Sequence, residues 1–521
     1  MVFQRPIRMV SFLVLTGVLT LLPSALVGAQ TADDVLRYAD RTPGVTAYGM
    51  GIAGTGIARL DEASALAVNP AALGWLQESV VSGAFSSLRS TSDGTYVAPG
   101  YASDRRNTLT DSGIGNLSYL FKAPTTRGSL VVGAAISSVH SFDRATAFDG
   151  ENGSNSVTDY FIPYADEFDL LEDAEGLYPE FSRALSFIAY ETYAIDLDQG
   201  LVDAGDPVPF LPAVTFGTVT QTGVIEDTGR MTEIALGGAV EAAPDLMVGF
   251  GMNIPVGSFE RYRLIEERDD VNDNDGTNGT TDFAYLTFSE QLSTTMVGVN
   301  GRLGVSAKVH PSLFFGATIE TPTLFAIEEE YGTYIETGFD NGDLFSYGDG
   351  PGQDAGSGAF DYTMRTPWKI GLGFHYQAGP AQFKADVEWM DWSQLELQSS
   401  TYDFREENLE IRNVLQSVMN VRLGAVVDFG NVQLLAGLGI HPDPRRTSAF
   451  MNEGFLPVDR DRSLTSLGLR YRFNERMTMT AGWMLEQMKD RTDLYTDISD
   501  APYLTEDVSR QRLLVGFTFG L

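Results

Sequence analysis

The end of the chain constrains its fold more than any other stretch. Leu513, Val515, Phe517, Phe519 and Leu521 stand two apart, and Arg512, Gly516, Thr518 and Gly520 fill the alternate places, with Leu514 the exception. Residues two apart share one face of a strand. One face is therefore apolar and aromatic, and the other is small or polar. The pattern recurs upstream. Leu467, Leu469, Tyr471 and Phe473 oppose Gly468, Arg470, Arg472 and Asn474. Ile370, Leu372, Phe374 and Tyr376 oppose Gly371, Gly373, His375 and Gln377. In a water-soluble sandwich the polar face is crowded with charge. Here it repeats glycine, threonine and arginine or glutamate, and the other face is apolar and aromatic, which suits lipid outside and a tight, polar-to-mixed interior inside.

Counting such segments predicts strands near 78–90, 112–123, 128–143, 231–242, 246–264, 283–308, 311–327, 362–377, 381–396, 417–429, 432–440, 462–473, 477–489 and 508–521. An even number places both ends of a barrel on one side of the membrane, with short turns there and long loops opposite. The expected fold is all-β: a transmembrane antiparallel β-barrel of fourteen strands. Residues 214–227 also look strand-like and are assigned to an outer hairpin. The stretch 144–230 is then a long outer excursion.

Residues 1–29 read as a secretory signal, with Arg5 and Arg8, an apolar core over 10–22 and small residues ending at Ala29. No later segment is apolar over 18 residues, so helical spanning is not expected. The chain has no cysteine, which removes disulfides and thiolate metal sites. Its net charge of −35 argues against nucleic acid as a partner.

Residues 48–76, YGMGIAGTGIARLDEASALAVNPAALGWL, break the alternation. Gly49, Gly51, Gly54, Gly56 and Gly74 permit close backbone approach, as in a compact segment pushed inside a barrel. Gly49, Gly51 and Gly54 match G-x-G-x-x-G, but no strand precedes them and no βαβ rhythm follows, so a dinucleotide site is not expected. Short helices are expected over 33–40 and 61–66, the second capped by Asp61 and ended by Asn69-Pro70.

Gly49 to Arg59, Asp61, Ala63, Ser64, Asn69-Pro70-Ala71 and Leu73 resemble the N-terminal hatch of the FadL/TodX family of outer-membrane transporters for hydrophobic compounds. The family commonly has glycine where Ala72 stands and a bulkier residue near Val68. The resemblance implies a hatch at 30–77 inside a barrel of fourteen strands at 78–521, a number that guides the strand count above, with Asn69, Pro70, Ala71 and Gly74 as its critical turn. It implies passive transport of long-chain fatty acids or hydrocarbons across the bacterial outer membrane. The cargo is captured outside and leaves sideways through a kink in the third strand. Gly133, Ala134 and Ala135 are that strand's least bulky run and the candidate lateral gate. Phe181, Phe187, Tyr190 and Tyr193 are candidates for an outer ligand vestibule, or else pack the loop's own core. The expected partners are the ligand, outer-membrane lipid and lipopolysaccharide, and the barrel-assembly machinery, with the protein a monomer. A FadL-like shuttle for protein secretion is the alternative, and a porin for polar solutes comes third.

No catalytic set or cofactor site is read. His140, His310, His375 and His441 form no metal spacing, and no nucleophile elbow occurs. His140 near Ser137 or Ser138 has poor geometry for an enzyme, and His375 reads as a lumen residue. In residues 268–276, RDDVNDNDG, an EF-hand register would place Val271 at the first ligand position, which leaves a loose cation site or a solvated loop.

Overall fold

The computed structural model describes residues 32–173, 176–277, 281–348, 352–446 and 458–521. The expected signal at 1–29 lies outside them. The described strands close into a 14-strand antiparallel barrel. The wall runs in chain order. Its first strands are Val80–Ala98, Tyr101–Lys122, and a third that runs Leu130–Ser141 and continues as Arg144–Asn152. The fourth to sixth are Val219–Ala243, Leu246–Arg268 and Phe283–His310. The seventh is split into Leu313–Glu320 and Leu324–Phe339, the eighth into Gly358–Arg365 and Lys369–Ala378, and the ninth into Ala381–Asp391 and Glu396–Gln398. The last five are Ser417–Asp428, Val432–His441, Arg462–Arg472, Met477–Asp493 and Tyr503–Gly520. The first strand pairs with the last from Val80↔Gly520 to Val97↔Tyr503, so no edge is left open there.

Each of the fourteen expected segments falls on a wall strand. Several strands run further than expected. The first two pair up to Ala98↔Tyr101, although their outward residues turn polar beyond Phe85 and Ile114. The apolar alternation ends with the lipid, whereas the hydrogen-bond ladder does not. For the same reason residues 219–227 are not an outer hairpin. They pair with both Arg144–Asn152 and 261–268 as the upper part of the fourth strand. Pro322 and Pro367 fall in the breaks of the seventh and eighth strands, where a residue without an amide hydrogen costs no ladder bond.

The outward face carries exposed Phe85, Leu117, Phe250, Leu303, Leu372, Leu438 and Phe517 in a continuous apolar band. Short turns lie at the end where the chain enters and leaves the wall, and the long connections lie at the other. Among these, residues 153–218 pack across the upper ends of several strands. Val157, Phe161, Leu185 and Ile188 form one core with Tyr96, Phe148, Phe288, Ile335 and Leu504.

Candidate functional site

Residues 32–76 lie within the barrel, and wall side chains satisfy their backbone. The segment opens with the helix Ala32–Ala39, followed by Ala47–Gly51, which Thr46 caps by accepting from Gly49 N. The next helix is Ala65–Val68 with Ser64, not Asp61, at its N-cap position. Asn69 ends that helix and caps the following 3-10 turn, Pro70–Trp75, by accepting from Ala71 N. Pro70 sits where a helix start has no use for an amide hydrogen.

So little regular structure leaves many amides and carbonyls to be paired. Asp386 Oδ2 accepts from Gly56 N (2.7 Å) and Ile57 N (3.1 Å). Ser466 accepts from Ala53 N (2.9 Å). Arg302 donates to Leu66 O (2.8 Å), and Lys384 to Arg59 O (2.8 Å). Asn69 Nδ2 donates to Ile57 O (2.7 Å) and to Val305 O of the wall (3.1 Å), so one buried amide ties the turn to itself and to the sixth strand.

The wall meets this segment with glycine. A Cβ on Gly373 would stand 2.6 Å from Ala58 N, and one on Gly437 2.6 Å from Ala53 N. Gly249, Gly304, Gly316 and Gly482 face Ala71, Asn69, Ile57 and Ala47 just as closely. Gly74 performs the reverse service, since a Cβ there would run into Met247. Gly424, on the tenth strand, belongs to the same ring and abuts Thr55 and Ile52.

Higher in the barrel the interior changes from glycine to charge. A cavity of about 470 Å³ is lined by Asp33, Arg37, Asp40, Arg144, Arg261, Arg445, Arg460, Arg462 and Asp490, with Leu36, Phe142 and Trp392 as its apolar side. Asp40 pairs with Arg462. Burial alone would raise the Asp40 carboxyl, but the adjacent guanidinium holds it far below the ordinary range. A smaller cavity nearby holds Arg41, Glu233, Arg302, Glu320, Glu388, Arg422 and His441. There Arg422 Nε and His441 Nε2 are buried without a partner. His140 faces Thr42 (3.4 Å) and Asp40 (3.7 Å), not a serine. His375 is buried on the inner face against the edge of Phe314.

The third strand is the irregular part of the wall. Gly133, Ala134 and Ala135 pair with Leu120, Tyr119 and Ser118 on one side and with Gly237, Leu236 and Ala235 on the other. That run is paired without a break on both sides. The break falls later. Pairing with the second strand stops at Asn116↔Ser137, and the ladder to the fourth strand slips between Ser138 and His140. Beyond it the chain turns inward. Phe142 is buried against Tyr38 and Phe259. Arg144 pairs with Asp490 (2.6 Å) and with Glu506, and Thr146 lies 3.1 Å from Ser92 on the inner face of the first strand. Residues 111–115 of the second strand are thereby left without a neighbour on the third. A cavity opens there between Asp111, Gly113, Ser138, Ser141, Arg230 and the buried Arg512.

The four aromatic residues of the excursion pack among themselves and their surroundings. Phe181 lies 5.5 Å from Tyr190 and 5.4 Å from Phe210, Phe187 lies 5.6 Å from Tyr347, and Tyr193 lies 4.5 Å from Phe345. In the 268–276 loop, Asp269 accepts from Asp273 N and Asn274 N, so its carboxylate closes its own turn. Among the described residues no group of three His, Asp or Glu is arranged to hold a metal ion.

A closed, even-numbered antiparallel wall with an apolar outer band and a filled interior defines a barrel of the outer-membrane type. Its fold is that of the FadL/TodX barrels. It is similar to the structure of a FadL homologue from Pseudomonas aeruginosa, at 11% identity and a TM-score of 0.53, over 92% of this chain and 99% of that one. It is likewise similar to the toluene transporter TodX of Pseudomonas putida, at 13% identity and a TM-score of 0.51, again over 92% and 99%. No family model and no curated protein matches the sequence.

Proposed function

We propose that the chain is a FadL-type protein of the bacterial outer membrane that passes hydrophobic compounds passively, with the 32–76 segment as its hatch. The observation that carries this reading is the inward turn of the third strand after Ser137. The hatch and the excursion obstruct the axial route, so the interruption beside residues 111–115 is the way out, sideways into lipid. The fold shared with the Pseudomonas proteins supports the same reading. No nucleotide site or proton relay is needed. Burial of alkyl surface, about 0.8 kcal/mol per methylene, is driving force enough.

Between the two cargo classes, the charged chamber favours an acid-headed amphiphile over a neutral hydrocarbon. Among the described residues Arg41 donates to the backbone oxygens of Tyr38 and Asp40, and Arg422 Nε has no partner. Both are groups an incoming carboxylate can use. The excursion aromatics then act as the lid's own core rather than as a vestibule. The test is uptake of labelled oleate and of toluene by cells that depend on this protein. Faster oleate uptake than in cells without it is expected. Equal uptake of both compounds with and without the protein would remove the transport reading. Recovery of the protein in the soluble periplasm would remove the location.

A further inference from the structure

We propose that Arg230 and Asp111 form a latch across the side opening, and that the wall opens there only when this ion pair separates. The inference rests on the sideways-exit reading above and adds the residues that control it.

Arg230 belongs to the fourth strand and Asp111 to the second. In an intact sheet the third strand would lie between them and hold their backbones two strand spacings apart, about 10 Å. They meet only because the third strand has left. Arg230 Nη2 lies 2.9 and 3.0 Å from the two oxygens of Asp111. Its guanidinium crosses the second strand over Gly113, where a Cβ would stand 3.0 Å from Nη1. The glycine is the groove in which the arginine lies. Both ends of the opening are tied. Below, Asn116 donates to Ser137 Oγ at 2.7 Å. Above, Arg105 pairs with Asp149 at 2.5 Å. Behind the latch, Arg512 donates to Ser138 O at 2.8 Å, so a carbonyl freed by the lost ladder remains satisfied. The opening therefore has a repaired frame and, among the described residues, one side-chain ion pair across its middle.

That pair is poorly suited to hold the wall together. Arg230 and Asp111 are 47% and 32% exposed, and half-exposed ion pairs contribute little to stability. A weak pair that spans a gap and is lined by small residues, Ser112, Gly113, Ser138 and Ser141, can open without unfolding anything. The ends of the second strand's partner run stay fixed when it does.

The chain has no cysteine, so single thiols report cleanly. Ser86 lines the cavity behind the latch. In membranes containing Ser86→Cys protein, a lipid-soluble maleimide should label the thiol several-fold faster when Asp111→Ala is added. The exchanged pair Asp111→Arg with Arg230→Asp should return the rate to that of Ser86→Cys alone. Equal labelling with and without Asp111→Ala overturns the latch. A second arm separates the latch from the transport reading. Asp111→Cys/Arg230→Cys protein is joined by a short cleavable bifunctional maleimide, and oleate uptake is compared before and after cleavage. Uptake that falls at least fivefold and returns on cleavage supports both. Labelling that follows the latch while oleate uptake ignores the cross-link supports the latch and overturns sideways exit. Full uptake through the cross-linked wall together with latch-independent labelling overturns both.

Discussion

The lower and upper halves of the barrel solve the problem of a filled interior in opposite ways. In the lower half, wall glycines bring backbone against backbone. Gly373 and Gly437 leave no room even for a methyl group beside Ala58 and Ala53. In the upper half, the inner face carries Arg144, Arg462 and their acidic partners around open volume. The lower contact is rigid because close-packed backbone has nowhere to move. The upper contact is made of long side chains that can re-pair around a guest. The third strand joins both worlds, fully paired up to Ser137 and turned inward beyond it. The proposed sideways passage draws on both kinds of interior, closed below and adjustable above.

The largest break in this contrast is expected from Gly437→Val. The added atoms meet the Ala53 amide, which cannot rotate away, so overpacking should cost roughly 3 kcal/mol and displace the 32–76 segment. Thermal unfolding in detergent and heat-modifiable migration in gels report it. Ser141→Val, on the open upper part of the third strand, should shift neither measurably.

Asn69→Leu comes next. It removes the cap on Ala71 N and the donor to the Ile57 carbonyl, each worth roughly 1–3 kcal/mol if buried dry. The barrel should still assemble, since the wall ladder is untouched, while hydrogen exchange across 47–76 accelerates and uptake falls. Unchanged exchange would mean that the turn is held by packing alone.

Gly133→Leu sharpens the placement of the opening. Its side chain meets Leu120 within the doubly paired run, a flexible neighbour, so oleate uptake should fall less than twofold. Ser141→Trp, at the opening itself, should reduce uptake more while leaving oleate binding intact. The reverse order would return the gate to residues 133–135.

The smallest effect is a pH dependence of the 32–76 segment. Burial raises the Glu62 carboxyl from 4.5 to about 7, against hydrogen bonds from Ser64 and Thr46. Between those values the folded chain keeps a proton that the unfolded chain releases. Stability therefore declines as pH rises through this window and is level above it. Glu62→Gln should flatten that slope in unfolding midpoints taken from pH 4 to 8.

Much of this was legible beforehand. Fourteen period-two segments placed the wall, because lipid contact imposes the same alternation on each spanning strand independently. The glycines of residues 48–76 announced a segment pressed close to something. Asn69-Pro70 marked a turn, although Asp61 proved not to be the cap. The glycine ring was half visible, since Gly373 and Gly468 appeared on the inner face, but Gly424 passed unnoticed. A glycine facing a segment 370 residues away leaves no local trace. Extensions such as 219–227 escaped because above the lipid both faces of a strand are polar.

What the sequence determined by itself was the alternation of the strands, their faces and the presence of a compact glycine-rich segment. Each follows from local period and composition. Only the tertiary structure decided where the wall is interrupted. Glycine and alanine at 133–135 made room for a kink, yet the ladder there is complete. The interruption arises where Phe142 finds Tyr38 and Phe259, and where Arg144 finds Asp490 and Glu506, partners 346 and 362 residues away. Arg230 and Asp111 meet for the same reason, 119 residues apart, across the place of a strand that has turned inward. A run of small residues permits an opening, but an opening forms only where more distant partners pull the backbone out of its ladder.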